Sequence, residues 1–193
     1  MTEFIVIIVA AALANNYVLV QFLGASTVYS LPLGSKLEPA IAFGIANLLI
    51  IVGSGALNYL LYHALLVPTA TTYLYLVMFM LINSLLVVLL DAIWQRLHQS
   101  SYLPLKSSML MIAINTCVLG STLISLERNS DFLITLAQAL GAGLGFLIVM
   151  VLLSAMRIKL SDPRIPAPFQ GSAIAIISAG LLALGFLGFV GIV

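Results

Sequence analysis

The residues of this chain best equipped for chemistry stand where hydrocarbon should surround them. Asn15, Asn16 and Gln21 lie in "ALANNYVLVQFLGAS", and Asn115, Thr116 and Cys117 lie in "MIAINTCVLGS", each inside an otherwise apolar run. A buried amide without a partner costs about 1–3 kcal/mol, so these amides need hydrogen bonds. Two kinds of partner are open to them. Asn and Gln bond between membrane helices for about 1 kcal/mol each. Alternatively, they satisfy backbone groups where a helix is interrupted, leaving irregular turns at "FLGAST" and "NTCVLGS". Non-helical backbone at membrane depth is tolerated only under protein or along a water-filled cavity. The matched placement of the two amide motifs favours interruption.

Other reactive side chains are sparse. Cys117 is the one cysteine, which excludes an intramolecular disulfide and any zinc or iron-sulfur site built from this chain's thiolates alone. His63 and His98 stand near helix ends with no carboxylate at metal-ligand spacing, and read as interfacial. Asp91, Glu127, Arg128 and Asp131 close helices or occupy a connector, where charges are ordinarily solvated rather than part of an ion path. Nothing matches a catalytic triad, a phosphate loop or a dinucleotide fingerprint.

The elements that must position these groups are membrane helices. The chain has 193 residues, 63% hydrophobic and only 7% charged, against roughly 25% charged in soluble domains. A net charge of +1 without a basic stripe leaves no electrostatic basis for binding nucleic acid. About 20 apolar residues cross a bilayer core of roughly 30 Å. Six runs qualify: approximately Phe4–Leu23, Ala40–Leu66, Thr71–Leu90, Leu105–Ile124, Phe132–Met156 and Ser172–Ile192. The opening "MTEFIVIIVAAALA" carries Glu3 rather than a basic n-region, so the first run is expected to be retained. The expectation is one transmembrane domain over 1–193, all-α, with no soluble domain beside it. Gly141, Gly143 and Gly145, and again Gly180, Gly185, Gly188 and Gly191, have the spacing of closely packed helix faces. Trp94, Tyr102, Tyr59 and Tyr62 fit interfacial aromatic belts.

Lys36, Arg96, Lys106, Arg157, Lys159 and Arg164 fall in the first, third and fifth connectors, and Arg128 alone falls on the other side. The positive-inside rule therefore makes the odd connectors cytoplasmic and turns both termini outward. The halves, approximately 1–95 and 96–193, echo one another. Asn16, Val18, Leu19 and Gly24 in the first match Asn115, Val118, Leu119 and Gly120 in the second. With three helices per half, the second copy is inverted, and the first and fourth helices of the chain are expected to be interrupted near the membrane midplane. Asn15, Asn16, Gly24, Asn115 and Gly120 are the candidate scaffold of that midplane site.

The order of "NNYVLVQFLG", "VPTATT", "NTCVLG", "MVLLSAMRIKL" and "PAPFQGSAIAIISAGLLALGFLGFVGIV" resembles the family of the RnfA component of the Rnf ion-translocating electron transport complex. It is also similar to the NqrE component of the sodium-translocating NADH:quinone reductase. The resemblance covers essentially the whole chain. It implies a six-helix bacterial inner-membrane protein that pairs with a homologous subunit of opposite topology, among the other subunits of a Rnf-type complex. It further implies a 2Fe-2S cluster shared with that partner, each of the two giving two cysteines, and a complex coupling electron flow to ion movement. At the two family cysteine positions this chain carries Ser26 and Thr116, with Cys117 one residue beyond. One residue on a helix swings a side chain by about 100°, and hydroxyls are poor ligands for such clusters. Two functions follow: a Rnf-type subunit with Ser26, Thr116 and Cys117 nearest the electron path, or a divergent homologue without a cluster, acting as a small transporter or structural subunit.

Overall fold

A computed structural model describes residues 2–24, 37–97, 109–160 and 171–189, and every regular element among them is helical. Helix α1 (Thr2–Val9) widens into a π-helical turn, Ala10–Ala14, and ends there. Helix α2 (Glu38–Leu61) continues through a second π turn, Tyr62–Leu66. A 3-10 turn, Thr72–Leu74, opens α3 (Tyr75–Leu97). Helices α4 (Met109–Ala113) and α5 (Thr116–Glu127) are the two pieces of one interrupted span, followed by α6 (Phe132–Lys159) and α7 (Ser172–Leu187). The architecture is the expected all-α one.

Three stretches are long and apolar enough to cross a membrane: Glu38–Leu66, Thr72–Arg96 and Phe132–Lys159. Three others are apolar but shorter: Glu3–Ala14, Met111–Glu127 and Ala173–Leu187. The first break closes Glu3–Ala14, and the second lies inside Met111–Glu127. Helix α3 runs past Leu90, where the apolar run ends in the sequence, because no Gly or Pro interrupts Thr72–Leu97. Its last turns carry the amphipathic "DAIWQRL" instead of starting a connector. Glu38 and Pro39 suit the first turn of α2, and Arg157 and Lys159 the last turn of α6, where they complement the helix dipole.

Helices α2 and α6 form the centre and pack against each other more extensively than any other pair. Their contact is reciprocal. A Cβ at Gly44 would lie 3.2 Å from Leu147 Cγ, and one at Gly143 would lie 3.0 Å from Leu48 Cγ. Gly44 and Gly143, like Leu48 and Leu147, stand 99 positions apart in the sequence, and so do Asn16 and Asn115. A self-complementary contact of this kind is what a two-fold relation between inverted halves produces. Leu81, Leu85 and Val88 on α3 and Leu181 and Leu184 on α7 are exposed, an apolar exterior suited to lipid. The glycine expectation divides. Gly141, Gly143 and Gly145 are tightly packed against α1, α2 and the Ala12–Asn16 break, whereas Gly180 and Gly185 meet nothing within 4 Å.

Glu3, Phe4 and Ile7 line a pocket with Asp131 and Phe132, and Tyr62 and His63 line another with Asn129 and Asp131. The N-terminal end of α1 and the second and fourth connectors therefore share one end of the bundle. The basic residues Arg96, Arg157 and Lys159 belong to the helix ends opposite.

Candidate functional site

The two interrupted helices meet at their breaks. In the first, the π turn carries the Asn15 amide back to Ala10 O at 2.7 Å, and the backbone then leaves the helix. Asn16, fully buried, takes over. Its Nδ2 donates to Ala12 O at 2.7 Å and across to Gly145 O of α6 at 3.2 Å, while its Oδ1 accepts from the amides of Val18 (3.0 Å) and Leu19 (3.3 Å). One turn follows, closed by Val20 N to Asn16 O, before Phe22 and Gly24 take positive φ.

The second break is built the same way. Asn115 has extended backbone (ψ 114°) and caps α5, its Oδ1 accepting from Cys117 N at 2.9 Å. Its Nδ2 donates to Asn47 Oδ1 of α2 at 2.6 Å, and Asn47 donates in turn to Phe43 O at 3.0 Å. Each asparagine thus caps the amide two residues on and anchors to the central helix of the other half. The capped residues, Val18 and Cys117, are also 99 positions apart. The sequence motif aligns Val18 with Val118 instead, because it matches residue types, whereas the hydrogen bonds count from the asparagine.

A bond between the breaks completes the site. Gly24 N donates to Thr116 Oγ1 at 2.7 Å. Gly24 has φ +75°, and a Cβ there would fall 2.5 Å from Asn115 Oδ1 and 3.0 Å from Cys117 Cβ. Glycine serves both the left-handed turn and the close approach. Gly120 receives Leu23 in the same manner, its missing Cβ leaving room for Leu23 Cδ1. Of the expected site residues, Gly24, Asn115, Thr116, Cys117 and Gly120 come together, and Asn16 supports them from the α6 side. Asn15 is exposed and stands outside the cluster, and Ser26 lies outside the described residues.

The depth of the breaks follows from helix rise. The 12 residues of α5 place Asn115 about 18 Å below the end at Glu127, and the 13 residues of α1 and its π turn put Asn16 at a similar depth. Both lie inside a core of roughly 30 Å. At that level Asn15, Gln21 and Thr116 are exposed, with Phe22 (59%) and Ile114 (74%) beside them.

The donors available here do not fit half of an iron-sulfur cluster. Cys117, fully buried, packs in the apolar core with Val118 and Phe146. The outward position is Thr116, a hydroxyl already accepting from Gly24 N. The one soft ligand faces inward and the hard one faces out, reversing what a shared cluster requires. Among the described residues no three His, Cys, Asp or Glu side chains converge as metal ligands.

Several polar residues of the interior escape the sequence reading. Asn47, Asn58 and Asn83 are buried amides inside apolar runs, as Asn16 and Asn115 are, and the same criterion applied evenly finds them. Tyr59, expected in an aromatic belt, packs at a tilt against His63, with centroids 4.3 Å apart, and against Phe132 at 5.3 Å.

Residues 4–193 match the family described as "Rnf-Nqr subunit, membrane protein". The chain is 37% identical, over its whole length and 99% of the relative's, to the A component of the ion-translocating oxidoreductase complex of Colwellia psychrerythraea (strain 34H / ATCC BAA-681). It is 36% identical, over the full length of both, to the protein of that name from Shewanella baltica (strain OS185), and 34% identical to that of Tolumonas auensis (strain DSM 9187 / NBRC 110442 / TA 4), over its whole length and 99% of the relative's. With paired helix breaks in a two-fold helical membrane scaffold and full-length similarity to these proteins, the chain belongs to the Rnf-Nqr family of membrane protein subunits.

Proposed function

We propose that this chain is a membrane component of a Rnf-type complex that couples electron transfer to ion translocation across the bacterial inner membrane. It pairs there with a homologous subunit of opposite topology, which covers the face of the two breaks. The observation that carries the pairing is the exposed patch of Asn15, Gln21, Phe22, Ile114 and Thr116 around irregular backbone at membrane depth. Hydrocarbon satisfies neither the amides nor the hydroxyl, which leaves protein or a water-filled cavity to cover them, and the large apolar side chains of Phe22 and Ile114 in the same patch favour protein. The odd connectors, rich in Lys and Arg, face the cytoplasm in this reading, and the termini face the periplasm.

The donor set favours a complex in which this chain supplies no cluster ligand and acts as the structural and ion-coupling half of the pair. Thr116 ties the breaks together through Gly24 and offers a hydroxyl, a poor ligand for an iron-sulfur cluster. The test is anaerobic purification of the chain with its co-purifying subunits, iron and sulfide analysis, and site-directed cross-linking at Ile114→Cys in a Cys117→Ala background. Cross-links to one membrane protein of the complex, with iron content unchanged by Cys117→Ala, are expected. Failure of Ile114→Cys to link any protein refutes the pairing, and loss of cluster iron on Cys117→Ala restores a ligand role to this chain.

A further inference from the structure

At the end of the bundle carrying the second and fourth connectors, a cavity of about 100 Å³ opens between α2, α3, α5 and α6. That is room for a small ion with two or three waters, at about 30 Å³ per water. Its buried wall includes polar groups whose protons are engaged by other residues. Ser125 Oγ lies 2.7 Å from Gln138 Oε1 and 3.0 Å from Ser121 O, and Thr122 Oγ1 donates to Leu119 O at 2.8 Å. Each hydroxyl has one proton, so oxygen lone pairs are what remain for the cavity. Asn58, fully buried on the same wall, directs its amide protons to Ser54 Oγ (3.0 Å) and Asn83 Oδ1 (3.2 Å), and its Oδ1 has no partner. A buried acceptor left without a partner is unfavourable, and a bound cation would relieve it. The exposed rim adds the carboxylate of Asp131, which makes no capping bond to α6 although it stands at its N-cap.

We propose that this cavity is a binding site for a small monovalent cation, entered from the aqueous side past Asp131. Carbonyl and hydroxyl oxygens are hard ligands, and one carboxylate among neutral oxygens suits an alkali-metal ion better than a divalent one, which gathers several carboxylates. The site lies at the bundle end, apart from the helix breaks, and draws on none of their residues. Its service as the entry for a translocated ion rests on the function proposed above, but the binding does not.

The test uses the full chain in detergent. Thermal unfolding is followed in NaCl, LiCl and KCl against choline chloride at constant ionic strength, with sodium-23 NMR line broadening as a second readout. A saturable rise of the midpoint with an alkali-metal ion is expected, since a ligand held only by the folded state stabilises it. Ser125→Ala and Asn58→Leu should each weaken that ion by about tenfold or more, and Asp131→Asn by a few-fold. Should Asn58→Leu fail to fold, Ser125→Ala and the NMR signal still decide. Midpoints equal in alkali-metal and choline salts, or an ion response untouched by Ser125→Ala, overturn the proposal. Binding that persists in a chain which assembles into no ion-translocating complex leaves the cavity standing and removes the function proposed above.

Discussion

Replacing Gly24 by Ala is the sharpest probe of how the two breaks meet. An L-residue at φ +75° in the left-handed region costs about 1–2 kcal/mol. The new Cβ would also stand 2.5 Å from Asn115 Oδ1, 3.0 Å from Cys117 Cβ and 3.1 Å from Phe146 Cε2. Asn115 Oδ1 must retreat, and it holds the Cys117 amide at 2.9 Å. Leaving that buried N–H unpaired costs about 1–3 kcal/mol more. Gly24→Ala should therefore destabilise the protein by about 2–5 kcal/mol. The same structure says where the cost resides. In an Asn115→Ala background the carboxamide is already gone, so Gly24→Ala should cost only its backbone strain and the less severe contacts with Cys117 Cβ and Phe146. A double-mutant cycle, measured by reversible unfolding in mixed micelles, should then show a coupling of about 1 kcal/mol or more. Costs that add within about 0.5 kcal/mol would mean the breaks do not touch through Asn115, and the site as described would be wrong.

Two further predictions concern the scaffold. Asn16→Leu keeps the branched outline but strands the amides of Val18 and Leu19. A loss of about 2–4 kcal/mol and faster proteolysis near the first break are expected, and wild-type protease resistance would refute Asn16 as the cap. Gly44→Ala and Gly143→Ala press on Leu147 and Leu48 at nearly equal distances, so their unfolding midpoints should fall by similar amounts. Gly180→Ala and Gly185→Ala, in open space, should be neutral or stabilising by up to about 1 kcal/mol. Unequal effects at 44 and 143 would count against the two-fold relation, and destabilisation at 180 or 185 in the isolated chain would count against the open face of α7.

Much about this protein is legible in the amino-acid order because a bilayer leaves few choices. Apolar runs must become helices, charges must sit near their ends, and an Asn in such a run must find a backbone or a neighbour. Those constraints are local, and from them come the six apolar runs, the breaks at Asn15–Asn16 and Asn115, and the expectation of inverted halves. The single cysteine, displaced by one position from the expected ligand site, is equally visible there. Other features depend on the tertiary structure, because they are relations between residues remote in sequence. That Gly24 N reaches Thr116 across 92 positions, that Cys117 turns inward while Thr116 faces out, and that Asn58 is left with an idle carbonyl beside a cavity all follow from how α2 and α6 cross. Their crossing is set by where Gly44 and Gly143 admit Leu147 and Leu48. Helical periodicity offers many faces to a neighbour, and close packing selects one of them.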